Sequence, residues 1–320
     1  MFKIGKVVLS SNILMAPMAG FSDIGFRHLC RVFGAGLTYT EMVSMKGLKY
    51  NNARTVKMLI KGGLETPSAV QIFGCDPAIM AEMCLNEHMS AFDIVDINMG
   101  CPVPKIVNNG EGCSLMLDIA LAEKIIKAVR KNVRTLTVKF RKGFYESETN
   151  AVEFAKMCAG AGADAVTVHG RSREQFYGGA SDLGIIARVA AAVKIPVIGN
   201  GDVFFLKGVT PERMLSETGC KGVMAARGAL GRPYVFSKEY RDFASGKTAN
   251  FKKPSVYSMV KTHIEILLRH FPEEHVVRHI RGHMAWYLKD IPNGKRLKVA
   301  VNAAQRIEEV FSILCNELLF

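Results

Sequence analysis

The chain has 320 residues, 49% of them hydrophobic, and its 42 Lys and Arg against 29 Asp and Glu give a formal charge of +13. That length and apolar content suit one barrel-sized domain with a small appendage, and the basic excess points to a polyanionic partner, nucleic acid ahead of membrane. The eight cysteines, at 30, 75, 84, 101, 113, 158, 220 and 315, include no Cys-x-x-Cys pair, which excludes a zinc ribbon or a disulfide framework and fits a reducing cytoplasm.

Residues 1–20 carry lysines followed by apolar residues, but Ser10-Ser11-Asn12 interrupts the run, so the segment reads as two short strands leading into a first barrel strand rather than as a leader. No stretch reaches the roughly 18 uninterrupted apolar residues of a membrane span, and a soluble, cytoplasmic protein without an obligate protein partner is expected. Short β-like runs then recur at 13–18, 37–43, 68–73, 94–99, 136–140, 165–169, 196–199 and 222–226. Ser22 or Asp23 is placed to cap the first helix. Between the later strands, 118–131, 150–161 and 182–193 carry apolar residues at spacings of three and four, as amphipathic helices do. Eightfold strand–helix alternation predicts an α/β fold, a (β/α)8 TIM barrel, because parallel neighbours need crossover helices. An open doubly wound sheet is the alternative, and no Gly-x-Gly-x-x-Gly follows the first strand to support it. From Pro254 the pattern turns helical, over 256–271, 275–288 and 299–319, predicting a small C-terminal helical bundle. The expected division is 1–246 for the barrel and 247–320 for the helical part.

Chemistry-bearing residues gather where the strands end. Ile97-Asn98-Met99-Gly100-Cys101-Pro102 puts a thiol where the fourth strand gives way to a loop, with Lys105 nearby; in a parallel barrel catalytic side chains are presented there. Ala16-Pro17-Met18 ends the first strand, Gln71 lies near the end of the third, Lys139 and Arg141 end the fifth, and His169-Gly170-Arg171 the sixth. After the seventh and eighth strands come Asn200-Gly201-Asp202 and Ala226-Arg227-Gly228, in the loops that commonly hold phosphate in this fold, with an arginine to neutralise it. Gln71 can bond the edge of a planar heterocycle, Lys139 can oppose charge on a reduced isoalloxazine, and Ala16 with Met18 offers an apolar edge.

Taken in order, Ala16-Pro17-Met18-Ala19-Gly20-Phe21-Ser22-Asp23, Gln71-Ile72-Phe73-Gly74, Asn98-Met99-Gly100-Cys101-Pro102, Val138-Lys139-Phe140-Arg141, Val168-His169-Gly170-Arg171-Ser172-Arg173, Gly199-Asn200-Gly201-Asp202 and Arg227-Gly228-Ala229-Leu230-Gly231-Arg232-Pro233 resemble the FMN-dependent tRNA-dihydrouridine synthases over essentially the whole chain. The N-terminal strand pair and Trp286-Tyr287 are most similar to the bacterial B-type subgroup. The resemblance implies an oxidoreductase that reduces specific tRNA uridines with NADPH through bound FMN. By it, Ala16, Pro17, Met18, Gln71, Lys139, His169, Asn200, Gly201, Asp202, Ala226, Arg227 and Gly228 line the FMN site, and Cys101 is the catalytic acid. Asn98, Lys105, Arg141, Arg171, Arg278 and Arg281 are then expected toward the RNA substrate. The chain departs from the pattern at Ala226, where glycine is common before the arginine, and at Leu183, where tryptophan is usual.

Basic residues at 269, 278, 281, 289, 295, 296 and 298 interleave with Trp286 and Tyr287, a composition that suits RNA backbone and exposed bases. His279 and His283 have i, i+4 spacing, but no His-Glu-x-x-His motif and no third ligand is evident in the sequence, so no metal site is expected. The competing readings are a dihydroorotate-dehydrogenase-like flavin barrel acting on a small molecule, and an RNA-binding module that has lost catalysis.

Overall fold

A short hairpin closes one end of the molecule. Strands β1 (Phe2–Ile4) and β2 (Val7–Leu9) pair antiparallel across a two-residue turn that Gly5, at φ +56°, allows. Ile4 and Leu9 are fully buried and join Leu14, Leu37, Ile94, Ile198 and Met224 in an apolar cluster inside the barrel. The computed structural model describes residues 2–206 and 209–318.

Eight strands follow: β3 (Ile13–Met15), β4 (Tyr39–Ser44), β5 (Ala69–Phe73), β6 (Ile94–Met99), β7 (Leu136–Arg141), β8 (Ala165–His169), β9 (Val197–Asn200) and β10 (Gly222–Ala225). All are parallel, in the order β3-β10-β9-β8-β7-β6-β5-β4. The two ends of that row meet, because Gly36 N–H donates to Ile13 O at 2.9 Å and Met15 N–H to Leu37 O at 3.0 Å. The result is the expected TIM barrel.

Strand patterning follows from closure. Val95, Ile97, Met99, Val138, Phe140, Val166 and Val168 face the outer helices and belong to the large core between the layers. The alternate residues face the barrel axis and stack in register: Gln71, Asp96 and Thr137 in one tier, Asn98, Lys139 and Thr167 in the next, Arg141, His169 and Asn200 in the last. Because side chains repeat every second residue, the polar tiers fall toward the C-terminal strand ends while apolar tiers fill the floor. Outer helices are capped by side-chain oxygens, as at Asp118 for Ile119–Arg130 and Asp182 for Leu183–Ala192. Asp23 caps the first helix, Ile24–Val32, accepting from Phe26 N–H at 2.9 Å.

Beyond the last strand, helices Val256–Leu268, Glu273–Tyr287, Gly294–Ala303 and Ile307–Leu318 pack together, the first of them also against Ile24–Val32. The continuous helix expected over 299–319 is broken at residues 304–306, and residue 319 lies outside the described residues. Neighbours supply partners for the interrupted backbone: Arg281 donates to Ala304 O at 2.7 Å, Gln305 N–H to Glu309 Oε2 at 2.9 Å and Ile307 N–H to Glu273 Oε1 at 2.8 Å.

Candidate active site at the barrel mouth

Cys101 sits just past the end of β6, buried, on a loop held by a relay of amides. Gly100 N–H and Cys101 N–H both donate to Asn98 Oδ1, at 3.0 and 2.8 Å. Asn98 Nδ2 donates to Gln71 Oε1 at 2.8 Å, and Gln71 Nε2 donates to Asp96 Oδ2 at 2.7 Å. Thr137 Oγ1 completes the chain, donating to Asp96 Oδ1 at 2.6 Å. The thiol's position is therefore fixed by three strands. Arg141 holds the loop from the other side, with Nε donating to Gly100 O at 2.9 Å and Nη1 to Ser172 O and Phe176 O at 2.8 Å.

Electrostatics set the protonation of these groups. Burial pushes the Cys101 thiol above its ordinary 9.0, outweighing the pull of the Arg141 and Lys139 cations, so it is a neutral thiol at pH 7. Burial, helped by the neighbouring Arg141 charge, lowers Lys139 to about 8, while Asp96 pulls the other way. Asp96 is raised by burial to about 6, tempered by its bonds from Thr137 and Gln71. His169 is held well below 6.5 by burial and by the Arg141, Lys139, Arg171 and Arg227 cations, which keeps its ring neutral. Lys139 Nζ, half-buried in the middle of this set, has no hydrogen-bond or ion-pair partner among the described residues. The Thr167 hydroxyl, next to it in register, is also buried without a partner.

The loops after β9 and β10 form the opposite wall. Asp202, at φ +59°, takes both oxygens onto Arg171 Nη2, at 2.8 and 2.9 Å, and accepts Ser181 N–H at 2.8 Å. Arg227 lies 3.6 Å from Asp202 Oδ1 with its guanidinium over Phe205 at 4.2 Å and over Tyr177 at 5.0 Å. It is partly exposed. Among the described residues the backbone N–H groups of Gly201, Asp202, Arg227 and Gly228 find no protein acceptor. Ala16, Met18 and Ala226 pack on the top of the barrel's inner cluster, with Pro17 half-buried beside them, and Asn200 donates to Met224 O at 2.8 Å.

The structure thus brings Cys101, Asn98, Gln71, Lys139, His169, Asn200, Asp202 and Arg227 to the C-terminal end of the barrel, with Ala16, Pro17, Met18 and Ala226 at the ends of β3 and β10. Two of the arginines expected toward the RNA substrate have partners within the protein. Arg171 is about 1% exposed, paired with Asp202 and bonded to Gly178 O and Gly179 O, because a charge that deep is tolerated only when fully partnered. Arg281 likewise turns inward to Ala304 O, tying two helices together. A Cβ on Gly201 would fall 2.1 Å from Ser181 Oγ, and one on Gly228 2.3 Å from Val203 O, so both permit the loops to approach each other. Lys105 lies exposed on the short helix Pro104–Val107, and Arg278 is exposed on Glu273–Tyr287. Sequence reasoning missed Tyr177, which stands exposed between the Arg141 and Arg227 guanidiniums, 5.8 and 5.0 Å from its ring. The aromatic pair ahead of Gly178-Gly179 was the available signal.

A parallel barrel that gathers a buried thiol, a lysine without a protein partner and free loop N–H groups at its C-terminal end has the layout of a barrel enzyme. The dihydrouridine synthase family model matches residues 14–319. A relative from Rickettsia bellii, named a probable tRNA-dihydrouridine synthase, is 40% identical over 94% of this chain and 93% of its own. The tRNA-dihydrouridine synthase B of Pseudomonas aeruginosa is 35% identical over 95% of this chain and 91% of its own. Among solved structures, the old yellow enzyme homologue from Zymomonas mobilis superposes with a TM-score of 0.56 at 13% identity, over 81% of this chain and 94% of that one, a likeness of fold. The chain belongs to the dihydrouridine synthase family.

Proposed function

We propose that this protein reduces the carbon 5–carbon 6 double bond of uridines in tRNA, with FMN held at the barrel mouth and NADPH as electron donor, in the cytoplasm where its substrate is made. The observation that carries the reading is the unpartnered Lys139 ammonium beside the buried neutral Cys101 thiol. A flavin fits the surrounding donors: Arg227 and the unused backbone N–H groups of Gly201, Asp202, Arg227 and Gly228 suit its phosphate. Gln71, Lys139, His169 and Asn200 suit the polar edge of its ring, and Ala16, Pro17, Met18 and Ala226 the apolar edge.

When bound, FMN would supply the two-electron redox chemistry that the reduction needs. The protein's own task is the proton. Cys101 Sγ, kept protonated by burial, gives its proton to carbon 5 as negative charge builds on the uracil. Lys139 opposes charge on the ring system, and the Asn98 relay and Arg141 keep the thiol in line. A stacked uridine reaches this mouth only if flipped out, at a cost of a few kcal/mol offset by phosphate contacts elsewhere. Exposed cations at Lys105, Arg269, Arg278, Lys289, Lys295 and Lys298 suit that role, as does the Tyr177 ring for an unstacked base. Residues 247–320 are accordingly proposed as the tRNA-binding part and 1–246 as the catalytic barrel.

The test is an anaerobic half-reaction. After reduction with NADPH, the flavin absorbance of the purified protein returns on adding tRNA lacking dihydrouridine and stays bleached with fully modified tRNA. Return with a small-molecule acceptor alone points to the small-molecule oxidoreductase. A protein that binds tRNA but retains no flavin is the non-catalytic module.

A further inference from the structure

Outside the barrel mouth, a cluster of one carboxylate and three imidazoles joins the first barrel loop to the helical region. Asp23 and His279 are 256 positions apart, yet His279 Nε2 lies 2.9 Å from Asp23 Oδ2. His283 Nε2 lies 2.7 Å from the same oxygen. His263 Nε2 lies 2.9 Å from the other oxygen, and its Nδ1 is 3.0 Å from the Tyr287 hydroxyl. The ligand atoms of Asp23, His279 and His283 all fall within 4.8 Å of one another.

His283 marks the cluster as more than a set of hydrogen bonds. Its side chain is fully buried, and neither ring nitrogen has a hydrogen-bond partner. Nε2 approaches Asp23 at hydrogen-bond distance without hydrogen-bond alignment, so its in-plane nitrogen is directed beside the carboxylate oxygen rather than at it. A buried imidazole with one nitrogen poorly aligned on a carboxylate and the other unbonded is costly unless something else takes it up. Next to the cluster is a cavity of about 130 Å³ whose lining carries Asp23, Glu41, His275 and His279 together with the cations Arg27, Arg54 and Lys57. Glu41 there accepts Gly20 N–H, which leaves its second oxygen available.

We propose that Asp23, His279 and His283 form a binding site for a divalent transition-metal ion, zinc in the first instance, with its fourth position open toward this cavity. Two imidazoles and a carboxylate are a donor set for Zn²⁺. An ion bonded at about 2.1 Å to tetrahedral ligands holds them about 3.4 Å apart, so binding moves the imidazoles back by roughly half an ångström. His263, anchored by Tyr287, orients the carboxylate by bonding its other oxygen, the outer contact that ligating carboxylates usually have. The ion would act as a rivet between the loop after β3 and helix Glu273–Tyr287. The sequence concealed it because the third ligand comes from the opposite end of the chain. This inference is independent of the proposed reaction.

The experiment uses the 320-residue chain, stripped with chelator and reloaded with Zn²⁺, with metal content read by mass spectrometry. The expected result is about one zinc per chain, a higher thermal midpoint on loading, and, in His279→Gln, binding at least about tenfold weaker. Loading unsubstituted protein with Co²⁺ gives a ligand-field absorption of four-coordinate type, a readout that needs no buried-residue variant. Absence of stoichiometric metal and of that absorption overturns the proposal, as does zinc binding that His279→Gln leaves unchanged.

Discussion

Replacing Lys139 by methionine stabilises the flavin-free protein at neutral pH while weakening its function. An ordinary lysine titrates at 10.5, but burial and the adjacent Arg141 lower this one to about 8. Between those values the unfolded chain binds more protons than the folded one, so stability rises with pH through that window and is lowest below pH 8. The full shift corresponds to about 3 kcal/mol at pH 7, and solvent screening on the open side of this half-buried group brings it to roughly 2–3 kcal/mol. For a chain of this size that is a rise in thermal midpoint of about 3–5 °C, since unfolding entropy is about 2.1 cal/mol/K per residue. Methionine fills similar volume without the charge. The assay is thermal unfolding of flavin-free protein and of K139M from pH 6.5 to 10.5, alongside FMN affinity by fluorescence quenching. The gain is largest below pH 8 and fades toward pH 10.5, while FMN binding weakens. A midpoint for K139M equal to or below that of the unsubstituted protein at pH 7 would refute the reasoning, because the lysine would then be satisfied within the protein.

Cys101→Ala is expected to keep its flavin and its reduction by NADPH but lose about 10²–10⁴-fold in dihydrouridine formation, the range for a general acid; an unchanged rate removes Cys101 from the chemistry. Asn98→Ala leaves two N–H groups and the Gln71 carbonyl without their partner and costs about 2–4 kcal/mol in urea unfolding. Its turnover falls further than its tRNA affinity. Arg171→Met leaves the buried Asp202 carboxylate with only Ser181 N–H and the more distant Arg227, and costs up to about 3–5 kcal/mol, with a structural rather than an RNA-binding signature. Arg278→Glu weakens tRNA binding and lowers the salt slope by about 1, whereas Arg281→Ala leaves that slope unchanged and lowers the thermal midpoint.

Much of this architecture was legible in the chain because it rests on local signals. Alternating apolar runs, Gly and Pro punctuation at strand ends, and the interruption at Ser10-Ser11-Asn12 are properties of neighbouring residues, and they located the eight barrel strands and the entry hairpin. The Asn98–Cys101 loop was readable for the same reason: its cap is made two and three residues away. Which arginines are buried was not legible. Arg171 and Arg281 look like Lys105 and Arg278 in sequence, and only the fold decides that two of them are consumed by Asp202 and Ala304. The break at residues 304–306 has no glycine or proline to announce it, since its backbone partners come from Glu273 and Arg281. The Asp23–His279 contact spans 256 positions and is invisible to any local window.

The most direct test of the central claim is nucleoside mass spectrometry of tRNA lacking dihydrouridine after incubation with this protein, FMN and NADPH, run beside the C101A variant. The account predicts dihydrouridine with the unsubstituted protein, and a yield lower by at least about a hundredfold with the variant at equal flavin content. No dihydrouridine from a flavin-loaded, NADPH-reducible protein would contradict it.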